Sequence, residues 1–268
     1  MSLFTIFKTF ADIIKNNSAN SDQQLPQEKQ EVGVKQPVAN QEQGSNSVYK
    51  PGNSVFPDYG YRVGELTKKY ETSNRGPGYI SAGNTWGDPG GISYGSYQLE
   101  TEQGTMQGYL NSTPDRFKQA LRPLKINSDS FKVKWRQLAQ EDPVGFEQSQ
   151  FDYLAHKPGG YYAALEYAKQ IGWNVYNIAM QAAIFSTVNQ SGGWKEGIFN
   201  KAGIKSSDDL KTQINKLYDA RANYFRRIKL KQTVRDNIIL NRTDENRDGS
   251  RSKLDNERDD ALRMADDA

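Results

Sequence analysis

From residue 117 onward, large apolar side chains recur at intervals of three and four in one segment after another. The sets are Phe117/Leu121/Leu124, Phe131/Trp135/Leu138, Phe146/Phe151/Leu154, Tyr162/Leu165, Val175 through Val188, and Leu210/Ile214/Leu217. Such spacing gives each segment a single apolar stripe, so the chain has to stack helices around a shared core. An earlier segment, DYGYRVGELTKKYE, puts Val63, Leu66 and Tyr70 on one helical face, with Asp58 as a plausible N-cap. Between these helical parts, seven of the chain's 23 glycines fall from Gly76 to Gly95, with strand-like pieces at 78–82 and 91–99. The expected class is α+β, mostly α, with one small β-hairpin. Tyr167, Trp173 and Tyr176 lie in or beside helical runs and read as core.

The N-terminal part follows a different pattern. Residues 1–14 place Phe4, Phe7, Phe10, Ile13 and Ile14 on one face of an amphipathic helix. A docking helix for a partner protein is the preferred reading, against packing on its own domain or lying on a membrane surface. The segment has no secretory pattern: no positive charge precedes it, Lys8 interrupts it and no small-residue cleavage site follows. Residues 15–56, rich in Asn, Gln, Ser and Pro, cannot bury enough surface to order themselves and read as a disordered tether. Residues 57–268 form the folded domain. No run of 18 apolar residues occurs, so no transmembrane segment is expected.

Composition narrows the chemistry. With no cysteine and one histidine, the chain excludes disulfides, thiol nucleophiles and zinc sites that need two histidines. His156, in FDYLAHKPGG at a helix end, reads as structural. A net charge of +3 suits a polyanionic wall and is too small to argue for nucleic acid. Catalysis would therefore run on carboxylates, hydroxyls, amides or amines, and no cofactor is required.

Two carboxylates, Glu71 and Asp88, are the only acids between Leu66 and Leu99. Glycosidic bonds are cleaved by such pairs when one carboxyl is protonated and the other ionised, which requires different surroundings. Glu71 follows an apolar helix face beside Tyr70. Asp88 lies in the polar turn WGDPGG. The surrounding glycines would let backbone approach an extended sugar chain closely. Spacing alone leaves open that both acids simply cap turns.

A helix ending in Glu71-Thr72-Ser73, a hairpin, and then Tyr94-Gly95-Ser96-Tyr97-Gln98-Leu99 resembles the lysozyme superfamily. More closely, YE-x-x-x-x-GPG-x-IS…GDPGGISYGSYQL resembles the peptidoglycan-cleaving domains of some phage virion lysins and of type VI secretion effectors and spike-protein extensions. Those are distantly similar to the family 46 chitosanases. The likeness spans roughly residues 59–264, including AAIFSTVNQSGG and the closing NERDDALRM.

The resemblance implies a lysozyme-like fold with the hairpin beside an active-site groove, Glu71 as general acid and Asp88 as general base. It places Tyr97, Gln98 and Gln190 at the substrate. Trp86 would either stack on a sugar or cover the hairpin. Two features depart from the pattern. Extra residues around Asn84-Thr85-Trp86 set Asp88 slightly farther from Glu71, and Ser191 follows Gln190 where the family has His. The implied activity is muramidase-type cleavage of peptidoglycan glycan strands in the periplasm of a target bacterium. Delivery would be by a phage particle or secretion system, whose protein residues 2–14 would bind. The alternatives are a chitosanase-like hydrolase or a non-catalytic wall-binding virion protein.

Residues 244–255, DENRDGSRSKLD, place Asp244, Asn246, Asp248, Gly249, Ser250 and Asp255 at EF-hand loop positions 1, 3, 5, 6, 7 and 12. Position 12 is Asp rather than Glu, and Arg251 stands where an apolar residue normally packs. The segment reads either as a structural calcium loop or as a solvated charged turn.

Overall fold

A computed structural model describes residues 59–83, 91–193, 195–227 and 252–267. The expected docking helix and tether, Asp58, Trp86, Asp88, and Asp244, Asn246, Asp248 and Ser250 all lie outside the described residues. The expected helix over 58–71 is two elements: a 3-10 turn, Gly60–Gly64, runs into helix α1, Glu65–Thr72. Gly60 has φ +54°, outside the right-handed helical region, so the regular helix starts later. Gly64 is required by packing, since any Cβ there would collide with the Tyr97 ring.

Strands β1, Ser93–Tyr94, and β2, Leu99–Glu100, pair antiparallel with Ser93 opposite Glu100 and Tyr94 opposite Leu99. The expected strand over 91–99 is thus interrupted, because Gly95 and Gln98 take φ +79° and +57° and turn the chain back on itself. Ile80 adds a single antiparallel bridge to Tyr94. The GPG segment is held from beneath: Trp135 Nε1 and Gln150 Nε2 donate to the Pro77 carbonyl at 2.9 and 3.1 Å.

The helices follow as α2 (Thr105–Asn111), α3 (Arg116–Leu121), α4 (Asp129–Glu141), α5 (Pro143–His156), α6 (Tyr161–Gln170), α7 (Ile178–Gln190), α8 (Glu196–Lys201), α9 (Leu210–Arg227) and α10 (Lys253–Asp266). Side-chain caps set several starts: Asp115, Ser128, Asp142 and Asn177 each accept a backbone N–H of the first turn.

Helix α7 is the axis of the domain. Every residue from Ala179 to Gln190 is buried, and α1, α6, α9, α10 and the 3-10 turn pack around it. A helix buried on every side has to sit inside others, and several of its polar side chains find partners within the core. Tyr161 donates to Gln181 Oε1 at 2.7 Å, and Thr187 Oγ1 donates to the Ala183 carbonyl at 2.8 Å.

Two aromatic groups fill the core. Tyr94, Trp135 and Phe146 pack edge-to-face at 5.2 and 4.6 Å, and Tyr97, Phe185 and Phe151 pack at 5.4 and 5.2 Å. Each such pair contributes about 0.5–1.5 kcal/mol beyond its buried area. Trp173 is core as expected, stacked on Phe199 at 4.8 Å. Tyr176 is not: it is 50% exposed, at the loop before α7 rather than on a packed stripe.

Candidate active site

Glu71 lies in the last turn of α1. The helix ends there because Ser73 and Asn74 adopt left-handed backbone, φ 52° and 57°, and both N–H groups return to the Lys68 carbonyl. Gln98, also left-handed, donates through Nε2 to the Glu71 carbonyl, so the hairpin is fastened directly to the end of this helix. Non-glycine residues in this region cost about 1–3 kcal/mol each and persist where surroundings over-determine them.

The Glu71 side chain is 2% exposed, and Lys253 Nζ donates to its Oε1 at 3.0 Å. Burial raises its pKa above the ordinary carboxyl value. The Lys253 charge and hydrogen bond oppose that, Glu257 reinforces it, Arg221 opposes it, and the balance stays raised.

Behind this pair lies a fully buried network. Arg221 Nη1 donates to Glu257 Oε1 at 2.8 Å, and Arg221 Nε donates to Gln190 Oε1 at 2.6 Å. Tyr218 and Ser186 also donate to Glu257 Oε1, at 2.9 and 2.5 Å. Burial pushes the Glu257 pKa up, but Arg221, the Ser186 hydrogen bond and Lys253 outweigh it and hold the carboxyl ionised. Glu71 is thus the carboxyl of this group biased toward keeping its proton, and Glu257 the one biased toward losing it. A carboxyl that keeps its proton in this way has the chemistry a general acid needs.

Beyond the end of α7 the chain turns tightly. The Gly193 N–H bonds to the Val188 carbonyl at 2.9 Å, and Ser191 Oγ lies 2.7 Å from the Thr187 carbonyl and 2.8 Å from that of Gly193. Ser191 is therefore a buried cap of the turn. Gly193, at φ +145°, approaches the loop after α5 so closely that a Cβ would stand 3.3 Å from the Gly159 carbonyl oxygen. Lys157 and Lys195 flank this contact in sequence. Burial pushes the Lys157 ammonium down to about 8, with the Lys195 charge adding to the effect, and burial lowers Lys195 too.

The expected site residues are thus only partly gathered. Glu71, Gln98 and Gln190 fall in one neighbourhood, linked through the hairpin and Arg221. Gln190 is 1% exposed, with Nε2 lacking a hydrogen-bond partner. Tyr97, expected at the substrate, is fully buried, and its hydroxyl donates to the Tyr61 carbonyl at 3.3 Å. It supports the hairpin from inside because Gly64 leaves room for its ring. Asp255 accepts from Ser252 N–H and Oγ at 3.2 and 2.7 Å in a capping box that starts α10. His156 donates to the Asp152 carbonyl at 2.8 Å, consistent with a structural role. Among the described residues no three His, Cys, Asp or Glu side chains gather so as to hold a metal ion, and no helix is long and apolar enough to cross a membrane.

Sequence reasoning missed Arg221, Lys253 and Glu257, although a signal was present. Ile214, Leu217, Tyr218, Arg221 and Phe225 share one stripe of α9, and Leu254, Glu257 and Ala261 share one of α10. A charge on an apolar stripe must be paired inside the protein.

The family model described as "Type VI secretion system spike protein VgrG3-like, C-terminal" matches residues 63–246. The type VI secretion system spike protein VgrG3 of Vibrio cholerae serotype O1 is 33% identical over 148 residues, 55% of this chain and 14% of that relative's length. The matched stretch takes in Glu71, the glycine-dense hairpin, the axial helix and Arg221, so the chain belongs to the VgrG3-like C-terminal family of type VI secretion spike proteins.

Proposed function

We propose that this domain is a lysozyme-like glycoside hydrolase that cleaves the glycan strands of bacterial peptidoglycan. The observation that carries the reading is the buried Glu71 carboxyl. It ends a helix beside a glycine-rich hairpin and is biased toward its protonated form by burial while one ammonium steadies it. Glu71 gives its proton to the leaving glycosidic oxygen. Asp88, from the hairpin segment between Gly83 and Gly91, takes the proton of the attacking water. Gln98 and Gln190 brace the acid's surroundings from the hairpin and the axial helix, and Trp86 supplies a stacking face to a sugar ring. Membership in a spike-protein family supports delivery into a target cell's periplasm by a secretion machine, with residues 2–14 docking on it through the 15–56 tether.

The test is turnover of purified peptidoglycan by Glu71→Gln and Asp88→Asn, with mass spectrometry of the released fragments. Each substitution keeps side-chain size and removes the acid or base, so turnover should fall at least about a hundredfold. Near-normal turnover by Asp88→Asn would leave Glu71 acting alone, and an anhydro sugar product would then be expected. Chitosan cleaved in preference to peptidoglycan would replace the substrate, and no turnover of either by the unaltered chain would overturn the reading.

A further inference from the structure

One carboxylate grips two parts of the candidate site at once. Glu147, on α5, is buried; Lys68 Nζ donates to its Oε2 at 2.8 Å, and Ser96 Oγ donates to its Oε1. Lys68 lies three positions before Glu71 on α1, and its carbonyl receives the Ser73 and Asn74 N–H groups that end the helix. Ser96 lies in the turn between β1 and β2, two positions before Gln98, which donates to the Glu71 carbonyl. One turn farther along α5, Gln150 Oε1 accepts the Ser96 N–H at 3.0 Å. Gly95 allows that approach, since a Cβ there would collide with the same oxygen. Thr72 Oγ1 reaches the Ser96 carbonyl at 3.4 Å, so the helix end and the turn also touch directly.

We propose that Glu147 is a positioning residue, whose carboxylate sets the end of the acid helix against the hairpin and so fixes where Glu71 stands relative to the segment carrying Asp88. The inference rests on the hydrolase reading above and names the side chain that aligns its parts. A buried ion pair adds little stability over an apolar pair of similar volume, because desolvating two charges offsets their attraction. A satisfied buried network does fix geometry, since any shift leaves a charged group without its partner. Asp88 precedes β1 by five positions, so its segment runs into the hairpin that Glu147 and Gln150 hold. A displacement of about 1 Å between reacting groups costs about a hundredfold in rate. Glu147 itself is too deeply buried to meet a substrate, so its effect falls on alignment and not on binding.

The test is steady-state turnover of soluble peptidoglycan strands by the full chain, well below each variant's melting temperature. Glu147→Gln keeps the size and an acceptor for Ser96 but takes the negative charge from Lys68. Its kcat should fall at least about tenfold with KM nearly unchanged, the pattern of an interaction used only in the chemical step. A second variant separates position from stability. Lys68→Met with Ser96→Ala and Glu147→Leu removes the cluster's charges and its hydroxyl together, so its melting temperature should return toward that of the unaltered chain. Its kcat should stay low, because an apolar contact does not hold the helix and the turn in one fixed geometry. Recovery of kcat together with the melting temperature would overturn the proposal and leave Glu147 a stabilising residue only. A raised KM at unchanged kcat in Glu147→Gln would overturn it too, since binding rather than alignment would then have changed. The unaltered chain, measured in parallel, keeps the two readings apart. If it cleaves nothing, the hydrolase reading fails and the positioning role with it. If it cleaves and Glu147→Gln matches it, the positioning role fails alone.

Discussion

Lys253 and Glu71 stand 182 positions apart in the chain, and the ammonium of one lies 3.0 Å from the carboxylate of the other. The lysine pulls the Glu71 pKa down against the upward push of burial. Replacing it should let burial prevail more fully. In Lys253→Met the protonated acid should persist to higher pH, so the basic limb of the kcat/KM profile on peptidoglycan should move upward. A limb that stays in place or moves down would show that the acid does not feel this charge.

Glu71 also ties stability to pH, with the opposite sign from an ordinary salt-bridged carboxylate. Its folded pKa is raised, so the folded chain holds the proton more tightly than the unfolded one. That contribution is full below the unfolded pKa and is lost as pH rises through the folded pKa. Glu71→Gln cannot titrate. The melting temperature of the variant minus that of the unaltered chain should therefore grow as pH rises above the ordinary carboxyl range, about pH 4. A difference that stays flat or shrinks would contradict the raised value.

Arg221 and Glu257 join α9 to α10 with both side chains fully buried. Glu257→Leu strands a guanidinium in the core and should cost about 3–5 kcal/mol in denaturant unfolding. Arg221→Met with Glu257→Leu removes both charges and should recover most of that loss, because an apolar pair of similar volume avoids desolvation. If the double variant were no more stable than Glu257→Leu, packing rather than charge would be the cause.

The 244–255 loop calls for a separate measurement. If Asp244, Asn246, Asp248, Ser250 and Asp255 bind calcium, the ion should raise the melting temperature by linkage, and Asp244→Ala with Asp248→Ala should abolish the rise. Identical melting in chelator and in about 1 mM calcium would rule out a site of extracellular-module affinity.

The helices were legible because their apolar stripes repeat over two or more turns, as at Phe131/Trp135/Leu138. Regular spacing hid two local breaks. Gly60 at positive φ delays α1, and Gln98 bends a segment whose composition suits a strand. Glu71 stood out because it ends a helix before a glycine-rich hairpin, and the role expected of it came from the resemblance of that motif. Its partners did not, since Arg221 and Lys253 become its neighbours only when α9 and α10 close on α7. Tyr97 looked like groove lining because a tyrosine beside Gln98 suits a sugar. The missing side chain at Gly64 is what draws it inward instead. The amphipathic N-terminal segment and Asp88 lie outside the described residues.

A ribosome adding about 5–20 residues per second needs about 10–40 s to travel from Glu71 to Lys253. For much of that interval α1 and the hairpin have left the ribosome while Lys253 is not yet made, so the carboxyl has no ammonium beside it. Arg221, once made, has no Glu257 to hold it. The Glu71–Lys253 pair is therefore assembled late, by the closing of α10 over elements made long before. A nascent chain, still attached to the ribosome of the cell that makes it, carries the acid without the surroundings that tune it.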